Sequence, residues 1–353
     1  MDKIFDIPQV YFGTTEKGQT ITLYSLQAGD LVVKIMNYGG TIVAIETPDK
    51  DRKVQNIVAG FSSFSEYQMP QPYLGSLIGR YANRIAYGKF QLDGEIYQLP
   101  INDYPNHLHG GDNGFHRKIW KVERTKVDTD QCSLSLSYFS SAGEEGYPGN
   151  LHVVVTFTVT KSNELKVSYQ ANTDKSTPIN PTSHSYFNLS GFSERTIYDH
   201  ELEINGKFFT EKNADNVPTG KLLLCEGTPL DFRQRKKIGT HIKELDFDRG
   251  YNHNFVIDNP EDGVRSAATL INKSSGRMLE VLSDRPGLQI YTANWWDGSL
   301  NGAHGIPYGK HSAVALETQS YPDSPNHGNF PNTILRPGER FHSDTIYRFS
   351  ILK

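Results

Sequence analysis

The chain has 353 residues and a formal net charge of −4, with 36 basic and 40 acidic side chains scattered along it. This balance excludes the basic surface that binds nucleic acid or an anionic membrane, and no apolar run reaches the roughly 18 residues of a transmembrane helix. Glycine (31), proline (18), tyrosine (19) and phenylalanine (18) are abundant, which is typical of a chain with many turns and half-buried aromatic strands.

The N-terminal segment MDKIFDIPQVYFGTT lacks the cationic region and apolar run of a secretory signal. The two cysteines, Cys132 and Cys225, stand in unrelated contexts without metal-ligand spacing. We therefore expect a cytoplasmic protein without a disulfide framework, whose partners include neither nucleic acid nor a membrane.

The first hundred residues predict antiparallel strands joined by glycine turns. Three apolar runs separated by glycine turns lie between Thr20 and Thr47, and an Asp93-Gly94 turn joins the alternating residues around it into a hairpin. Residues 48–70 are polar and irregular, so we expect them to form a loop that covers one end of the core.

A cluster of polar side chains, Arg80, Asn83 and Arg84, precedes this hairpin in a glycine-bounded segment. Two interpretations are open for these arginines. They can tie the loop to nearby carbonyl groups, or they can direct their donors at ligand hydroxyls or at a carboxylate elsewhere in the chain.

Two histidines follow the hairpin at His107 and His109. On an extended segment both would face the same way, and Gly110-Gly111 lets the backbone turn sharply after them. A histidine pair of this kind suggests a metal, but catalytic zinc needs a third protein ligand, and the chain has no HExxH spacing to supply it. We therefore expect no metal.

Residues 131–170 show the clearest alternation, with three consecutive strands that share one apolar face and need a second sheet to cover it. Neither a linker nor a low-complexity stretch divides the chain, so we predict one all-β domain over residues 1–353, a large antiparallel sandwich with few short helices. Further along, the patterns predict loops at 214–220 and 228–233, a short helix at 240–248, strands from 251 and over 286–296, and a hairpin about 274–276.

His184 stands among small polar residues and two aromatics in the segment NPTSHSYFNLSGF. For a lone histidine the default interpretation is a structural one, in which the ring is hydrogen-bonded to a carbonyl. A functional role needs a partner elsewhere in the chain.

Such a partner is found in the segment AVALETQSYPDSPNHGNFP, which begins at Ala313. Its first half alternates, so that Val314 and Leu316 point to one side while Ala313, Ala315 and Glu317 point to the other. Two alanines beside a carboxylate leave room for a ligand, and the loop from 321 to 331 could wall it. The alternative is a solvated glutamate on an edge strand.

The candidate polar residues suit a neutral, hydroxyl-rich ligand. No nucleophile elbow, phosphate loop or dinucleotide motif is present. A carboxylate and an imidazole on opposite sides of a sugar ring can open a hemiacetal without a cofactor, whereas glycoside hydrolysis calls for two carboxylates and the chain offers one convincing candidate. The candidates are Glu317, His184, His109, His107, Arg84, Asn83, Gln289 and Asn252, with Trp295 and Trp296 as aromatic platforms.

Nine segments, in order along the chain, closely resemble the aldose 1-epimerase (galactose mutarotase) family. The resemblance implies a large β-sandwich that interconverts the α and β anomers of free hexoses such as galactose and glucose. The segments are GRYANRI (79–85), NHLHGG (106–111), HSYFNLSG (184–191), ADNVPTG (214–220), TPLDFR (228–233), GYNHNF (250–255), PGLQIYTAN (286–294), LETQSYPDSPNHGNFP (316–331) and LRPGE (335–339).

By this resemblance Glu317 is the general base on the C1 hydroxyl, His184 the general acid at the ring oxygen and His109 an assisting histidine. The residues that would hold the sugar are Asn83, Arg84, Tyr186 and Gln289, with Asn252 at the position where the family usually has Asp. The expected partner is a small aldose, and the chain would be a monomer or a homodimer.

Three departures from the family pattern affect the expected site. Asn252 replaces a charged acceptor, Ser183 stands where Asn commonly precedes the catalytic histidine, and the Trp295-Trp296 pair can narrow or extend the sugar platform.

Two other functions remain open. A catalytically silent sugar-binding protein would have no use for a paired acid and base, and a hexose 6-phosphate epimerase would need a cationic pocket, for which Arg80 and Arg84 are candidates.

Overall fold

The computed structural model describes residues 7–258, 263–303 and 305–352. Nearly half of these residues lie in the strands of antiparallel sheets, of which the largest has nine strands. In spatial order its strands are Lys121–Val127, Gln131–Ser140, Leu151–Thr160, Glu164–Thr173, Phe341–Ile351, Arg277–Ser283, Arg265–Ile271, Glu201–Ile204 and Lys236–Lys237.

Two further sheets have six and five strands. The six-stranded sheet has the order Tyr186–Phe187, Val314–Gln319, Gly287–Tyr291, Asn252–Val256, Phe208–Lys212 and Pro218–Leu224. The five-stranded sheet has the order Gln9–Thr14, Thr20–Ala28, Leu31–Met36, Thr41–Pro48 and Val54–Asn56.

Short paired strands and single turns complete the described elements. The pairs are His107–Leu108 with Arg84–Ile85, Thr177–Pro178 with Ile334–Leu335, Thr182–Ser183 with Leu77–Ile78, Asp297–Asn301 with Pro307–Gly309, and Lys89–Leu92 with Glu95–Gln98. The α-helix is Phe64–Gln68, and the 3₁₀ turns are Ala86–Gly88, Phe115–Arg117, Glu144–Gly146, Ile238–Thr240, Ile242–Glu244 and Ser324–Asn326.

The main hydrophobic core receives side chains from all three large sheets. Val155 of the nine-stranded sheet, Leu316 of the six-stranded sheet and Val33 of the five-stranded sheet are fully buried in the same cluster. Alternating strands that are apolar on one face require such a covering layer. The predicted β-sandwich is therefore confirmed. The single domain predicted for residues 1–353 includes residues outside the described ranges and stays a prediction.

Several local predictions are confirmed by the strand pairing. The runs between Thr20 and Thr47 form three paired strands, and the residues on either side of Asp93-Gly94 form a hairpin in which both turn residues have positive φ (51° and 86°). The hairpin about 274–276 joins Arg265–Ile271 to Arg277–Ser283. Local turn chemistry was therefore sufficient to place these elements.

Residues 48–70 are not a plain loop, because they hold a strand and the helix Phe64–Gln68. The carboxylate of Glu66 accepts a hydrogen bond from the backbone N–H of Ser63 at 3.0 Å, which caps this helix. A serine followed three residues later by glutamate is the sequence signal that predicts such a cap. The helix buries Phe64 and Tyr67 in a second apolar cluster.

Three other local predictions are wrong. Residues 240–248 do not form one continuous helix, because the backbone departs from helical geometry at His241 (φ −121°, ψ 8°). Two separate 3₁₀ turns stand in its place. The loop predicted at 214–220 ends in the strand Pro218–Leu224. The strand predicted over 286–296 ends at Tyr291, because Ala293 turns the chain with φ +50°. The α-helix of the described residues has five residues. Within this part of the chain, no helix is long and apolar enough to cross a membrane.

Candidate active site

Glu317 lies on Val314–Gln319, the second strand of the six-stranded sheet. Val314 and Leu316 point into the main core, whereas Ala313 and Ala315 point into the second apolar cluster, as the alternation predicted. Glu317 is 1% exposed. A solvated glutamate on an edge strand is thus excluded, and the carboxylate has to be explained by its neighbours.

The antiparallel register surrounds Glu317 with amide side chains. Gln289 stands directly opposite Glu317, and Asn254 stands opposite Gln289 on the next strand. One step along the sheet, Tyr291 stands opposite both Ala315 and Asn252. Because directly paired residues share a face, one face of this sheet carries a polar patch centred on the carboxylate.

His184 is the nearest ionisable neighbour of Glu317, and its Nε2 lies 3.5 Å from Glu317 Oε1. The backbone N–H of His184 donates to the carbonyl of Ser76, and its own carbonyl accepts from the N–H of Gly75, both at 3.0 Å. Within the described ranges, His184 Nδ1 has no hydrogen-bond partner. Burial lowers the pKa of the His184 ring and the backbone of His184 itself partly opposes this shift, but the ring is not bonded to a carbonyl of another described residue.

His109 completes the group, and its tautomer follows from a backbone contact. The N–H of Asn83 donates to His109 Nδ1 at 3.1 Å, so in the neutral ring the proton must sit on Nε2. His109, His184 and Glu317 each offer a ligand atom within 4.8 Å of those of the other two.

His107 does not face the same way as His109, contrary to the prediction. His107 Nδ1 lies 2.7 Å from the carbonyl oxygen of Pro100, and its Nε2 lies 2.9 Å from the hydroxyl of Tyr147. The reason is the backbone of His109, which has φ +53° and reverses the alternation expected of an extended segment.

This grouping also bears on whether the site can hold a metal ion. His107 and His109 alone lack a third ligand, but the fold places ligand atoms of Glu317 and His184 beside His109. Two imidazoles and a carboxylate are ligand types that zinc accepts. The same three groups are equally suited to proton transfer, and a chelator distinguishes the two chemistries.

Burial shifts the ionisation of all three groups toward the neutral forms. It raises the pKa of Glu317 to about 8, an effect that the guanidinium of Arg84 partly opposes. It lowers the pKa of His184 to about 3 and the pKa of His109 well below its ordinary value. Desolvation penalises the charged form of each group, so the carboxylate becomes a stronger base and the imidazolium a stronger acid.

A cavity of about 190 Å³ opens above the three groups. The sequence-predicted sugar ligands all border it, namely Asn83, Arg84, Tyr186, Asn252 and Gln289. A larger open depression of about 830 Å³ lies between residues 226 and 244. We place the site at the smaller cavity, because a buried carboxylate beside two imidazoles is the feature that carries chemistry.

The polar residues of the cavity hold one another in place. Gln289 Nε2 donates to Asn252 Oδ1 at 2.9 Å, which fixes the orientation of the Asn252 amide and leaves its NH₂ group to donate to a ligand. Arg84 Nε donates to Asp103 Oδ2 at 2.7 Å, and the backbone N–H of Arg84 donates to Asn83 Oδ1 at 2.9 Å. These contacts preorganise the donors before a ligand arrives.

The two tryptophans have different positions. Trp295 borders the cavity and is 58% exposed, whereas Trp296 is buried with its ring against Tyr186 (4.8 Å between centroids) and Tyr308 (5.5 Å). Of this pair, only Trp295 can therefore serve as a platform. Residues that the sequence reasoning did not select also line the cavity, and these are Pro72, Tyr73, Leu108, Asn216 and Tyr291.

Arg80 and Arg84 have different roles, of which one is to tie the loop to carbonyl groups and the other is to border the cavity. Arg80 is 2% exposed and makes no contact with the cavity. Its guanidinium donates to Ser140 Oγ and to the carbonyls of Ser140, Ser141, Pro148 and Gly149 at 2.8–2.9 Å. Arg80 is thus a structural residue, and its use as a ligand donor is excluded.

We expect Arg80→Met to lower the free energy of unfolding by roughly 3 kcal/mol or more, because four carbonyls lose their charged donor. Arg84→Met, the matched control, should lower it by about 1 kcal/mol or less, because the Arg84–Asp103 pair is partly open to solvent. Urea denaturation followed by circular dichroism measures both values. Equal losses in the two variants would contradict this assignment.

The sequence and the fold both match known proteins. The sequence profile of the family described as aldose 1-epimerase matches residues 22–348. The galactose mutarotase of Mus musculus is 40% identical over 334 residues, which are 95% of this chain and 95% of that protein. The aldose 1-epimerase of Escherichia coli (strain K12) is 34% identical over 339 residues, covering 94% of this chain and 96% of the other.

Two solved structures are similar over nearly their whole lengths. The GalM/aldose epimerase homologue from C. elegans has a TM-score of 0.86 at 29% identity and covers 93% of this chain and 97% of its own. The galactose 1-epimerase from Lactobacillus acidophilus has a TM-score of 0.87 at 25% identity and covers 99% of each chain.

Proposed function

The chain belongs to the aldose 1-epimerase family and is an epimerase, and we propose that it interconverts the α and β anomers of free aldohexoses such as galactose and glucose. One geometric observation in this chain supports the proposal. A fully buried carboxylate, Glu317, lies 3.5 Å from the imidazole of His184, and both border a polar cavity.

The reactive state has an ionised Glu317 and a protonated His184. Glu317 takes the proton of the C1 hydroxyl, the O–H electrons form the C1 carbonyl, and the bond from C1 to the ring oxygen breaks as that oxygen takes the proton from His184. The products are an open-chain aldehyde with a C5 hydroxyl, a neutral carboxylic acid and a neutral imidazole. Rotation about C1–C2 and the reverse transfers close the ring as the other anomer.

Burial assists the ring-opening step. Because it raises the pKa of Glu317 to about 8 and lowers that of His184 to about 3, the neutral pair formed on ring opening is the pair that the site prefers. Glu317 and His184 together hold one proton in the substrate-free site and one proton in the reactive state. Sugar binding therefore only has to move that proton from Glu317 to His184. Each transfer can contribute roughly 10²- to 10⁴-fold to the rate.

His109 would assist without changing its charge. Its Nδ1 accepts from the backbone of Asn83, so its Nε2–H is free to donate toward the sugar ring oxygen. Desolvation keeps this ring neutral, since it lowers the pKa of His109 well below the ordinary value. A neutral donor stabilises the oxygen on which charge develops and leaves the proton transfer to His184.

The remaining polar residues would bind the sugar hydroxyls. Asn83, Arg84, Tyr186, Asn252 and Gln289 supply amide, guanidinium and phenol groups on the sheet face beside Glu317. Because the bond from Gln289 Nε2 orients the Asn252 amide, this pair presents amide donors and acceptors to neighbouring hydroxyls and no second carboxylate. The neutral lining fits an uncharged sugar.

The charged groups argue against a phosphorylated substrate. Arg80 is consumed by backbone carbonyls, and Arg84 is paired with Asp103. Lys212, which borders a cleft beside the cavity, donates to Asp248 at 2.7 Å. Each of these cations already has a partner, so the described lining offers no uncompensated charge for a phosphate.

We expect the optical rotation of freshly dissolved α-galactose to relax faster in proportion to protein concentration, because the two transfers replace slow solvent catalysis. Polarimetry on galactose, glucose, xylose and arabinose measures the rate and the preferred aldose. Addition of EDTA should leave the rate unchanged, and a loss on chelation would assign the three groups to a cation instead. Relaxation at the buffer rate would exclude the proposed function.

A further inference from the structure

Tyr73 touches three imidazoles at the mouth of the cavity. Its ring centroid lies 4.8 Å from those of His109 and His116, with tilts of 62° and 78°, and 6.0 Å from that of His184 in a stacked arrangement at 16°. Two of these rings are the proposed acid and its assistant. Edge-on and stacked aromatic contacts at such distances hold rings in fixed orientations.

The backbone around Tyr73 is tied to the same histidine. Ser76 donates its N–H to the carbonyl of Tyr73 at 3.0 Å, while Gly75 and Ser76 exchange hydrogen bonds with the backbone of His184. Tyr73 itself has φ +58°, a left-handed conformation that is costly for a bulky side chain. Strain of this kind persists where the surroundings impose it, and it clusters at functional sites.

His184 needs an orienting group that its hydrogen bonds do not provide. A catalytic imidazole is usually fixed by a bond from its second nitrogen, but within the described ranges both His184 Nδ1 and the neighbouring Ser183 Oγ have no partner. The ring is instead enclosed between Tyr73 at 6.0 Å and Tyr186 at 4.7 Å, where it is stacked at 23°. Packing therefore performs the task that a hydrogen bond performs elsewhere.

We propose that Tyr73 is a positioning residue for proton transfer, whose ring holds the imidazoles of His184 and His109 in their reactive orientation and keeps water from them. This inference rests on the proposed epimerase function. The phenol faces also stabilise the transient imidazolium, because a cation over an aromatic face is attracted by the ring quadrupole. The hydroxyl of Tyr73 has no part in this role.

The test compares Tyr73→Phe, which keeps the aromatic ring, with Tyr73→Leu and Tyr73→Met, which replace the ring by an aliphatic or thioether side chain. We expect Phe to retain kcat within about twofold and the other two to lower kcat at least tenfold with a smaller change in KM. Water admitted beside His184 raises its pKa, so the acid limb of kcat/KM should move to higher pH in Leu and Met and stay in place in Phe.

Tyr291→Leu is the matched control, because Tyr291 borders the same cavity and its ring packs on Tyr186 at 6.1 Å. It should change KM and leave the acid limb where it is. Wild-type kcat and pH profile in both Tyr73→Leu and Tyr73→Met would overturn the proposal, as would an equal loss in Tyr73→Phe. An inactive wild type would instead refute the proposed function, and thermal melts identify any unfolded variant.

Discussion

Glu317→Gln is expected to slow catalysed mutarotation by roughly 10²- to 10⁴-fold, because an amide of the same shape cannot take the proton of the C1 hydroxyl. The substitution introduces no buried charge and keeps the side-chain volume, so the strand Val314–Gln319 should remain intact. Polarimetry on α-galactose measures the rate. A variant rate equal to that of wild type would end the proposed mechanism.

The same variant is expected to be more stable than the wild type above about pH 5. Burial raises the pKa of Glu317 from its ordinary 4.5 to about 8, so between these values the folded chain binds more protons than the unfolded chain. The free energy of unfolding of the wild type therefore falls as the pH rises through this window. Glutamine carries no such cost, and its advantage should grow up to about pH 8 and then level off.

Urea denaturation at pH 4, 6, 8 and 9 checks this stability difference. If the difference in the free energy of unfolding between the variant and the wild type were the same at all four pH values, Glu317 would ionise as easily in the folded chain as in the unfolded chain. A stable but inactive Glu317→Gln would show that the buried carboxylate is retained for its chemistry at a cost in stability.

Glu317 and the strands could be predicted from the sequence because each of these features is local. The alternation of Val314 and Leu316 with two alanines is a property of five consecutive residues, and it places the carboxylate on an uncrowded face. The Asp93-Gly94 hairpin is likewise decided by its own turn residues. The resemblance to the family added the proposed roles of His184 and His109, which spacing alone left open.

The rest of the site depends on contacts between distant parts of the chain. Arg80 and Arg84 stand four residues apart in one segment, yet Arg80 is fixed by carbonyls 60 to 69 residues away, while Arg84 reaches the cavity. His107 and His109 separate because of one left-handed residue. Tyr73 has no local signal at all, since its role depends on where three histidines meet in space.

His184→Gln is expected to lower the rate by roughly 10²- to 10⁴-fold and, in addition, to change the shape of the pH profile. The wild-type pair needs one shared proton, so kcat/KM should fall above about pH 8, where Glu317 ionises and His184 stays neutral. The variant has only the base, whose residual activity should rise through its ionisation instead.

Opposite slopes near pH 8 are therefore the signature that assigns His184 as the acid. The measurement is kcat/KM for α-galactose between pH 5 and 10, after subtraction of the buffer rate at each pH.

His109→Gln is the matched control. Because His109 is proposed to donate a hydrogen bond without transferring its proton, its loss should cost about tenfold and keep the falling limb of the wild type. A falling limb in His184→Gln would mean that another group supplies the proton to the ring oxygen, and a rising limb in His109→Gln would exchange the roles of the two histidines.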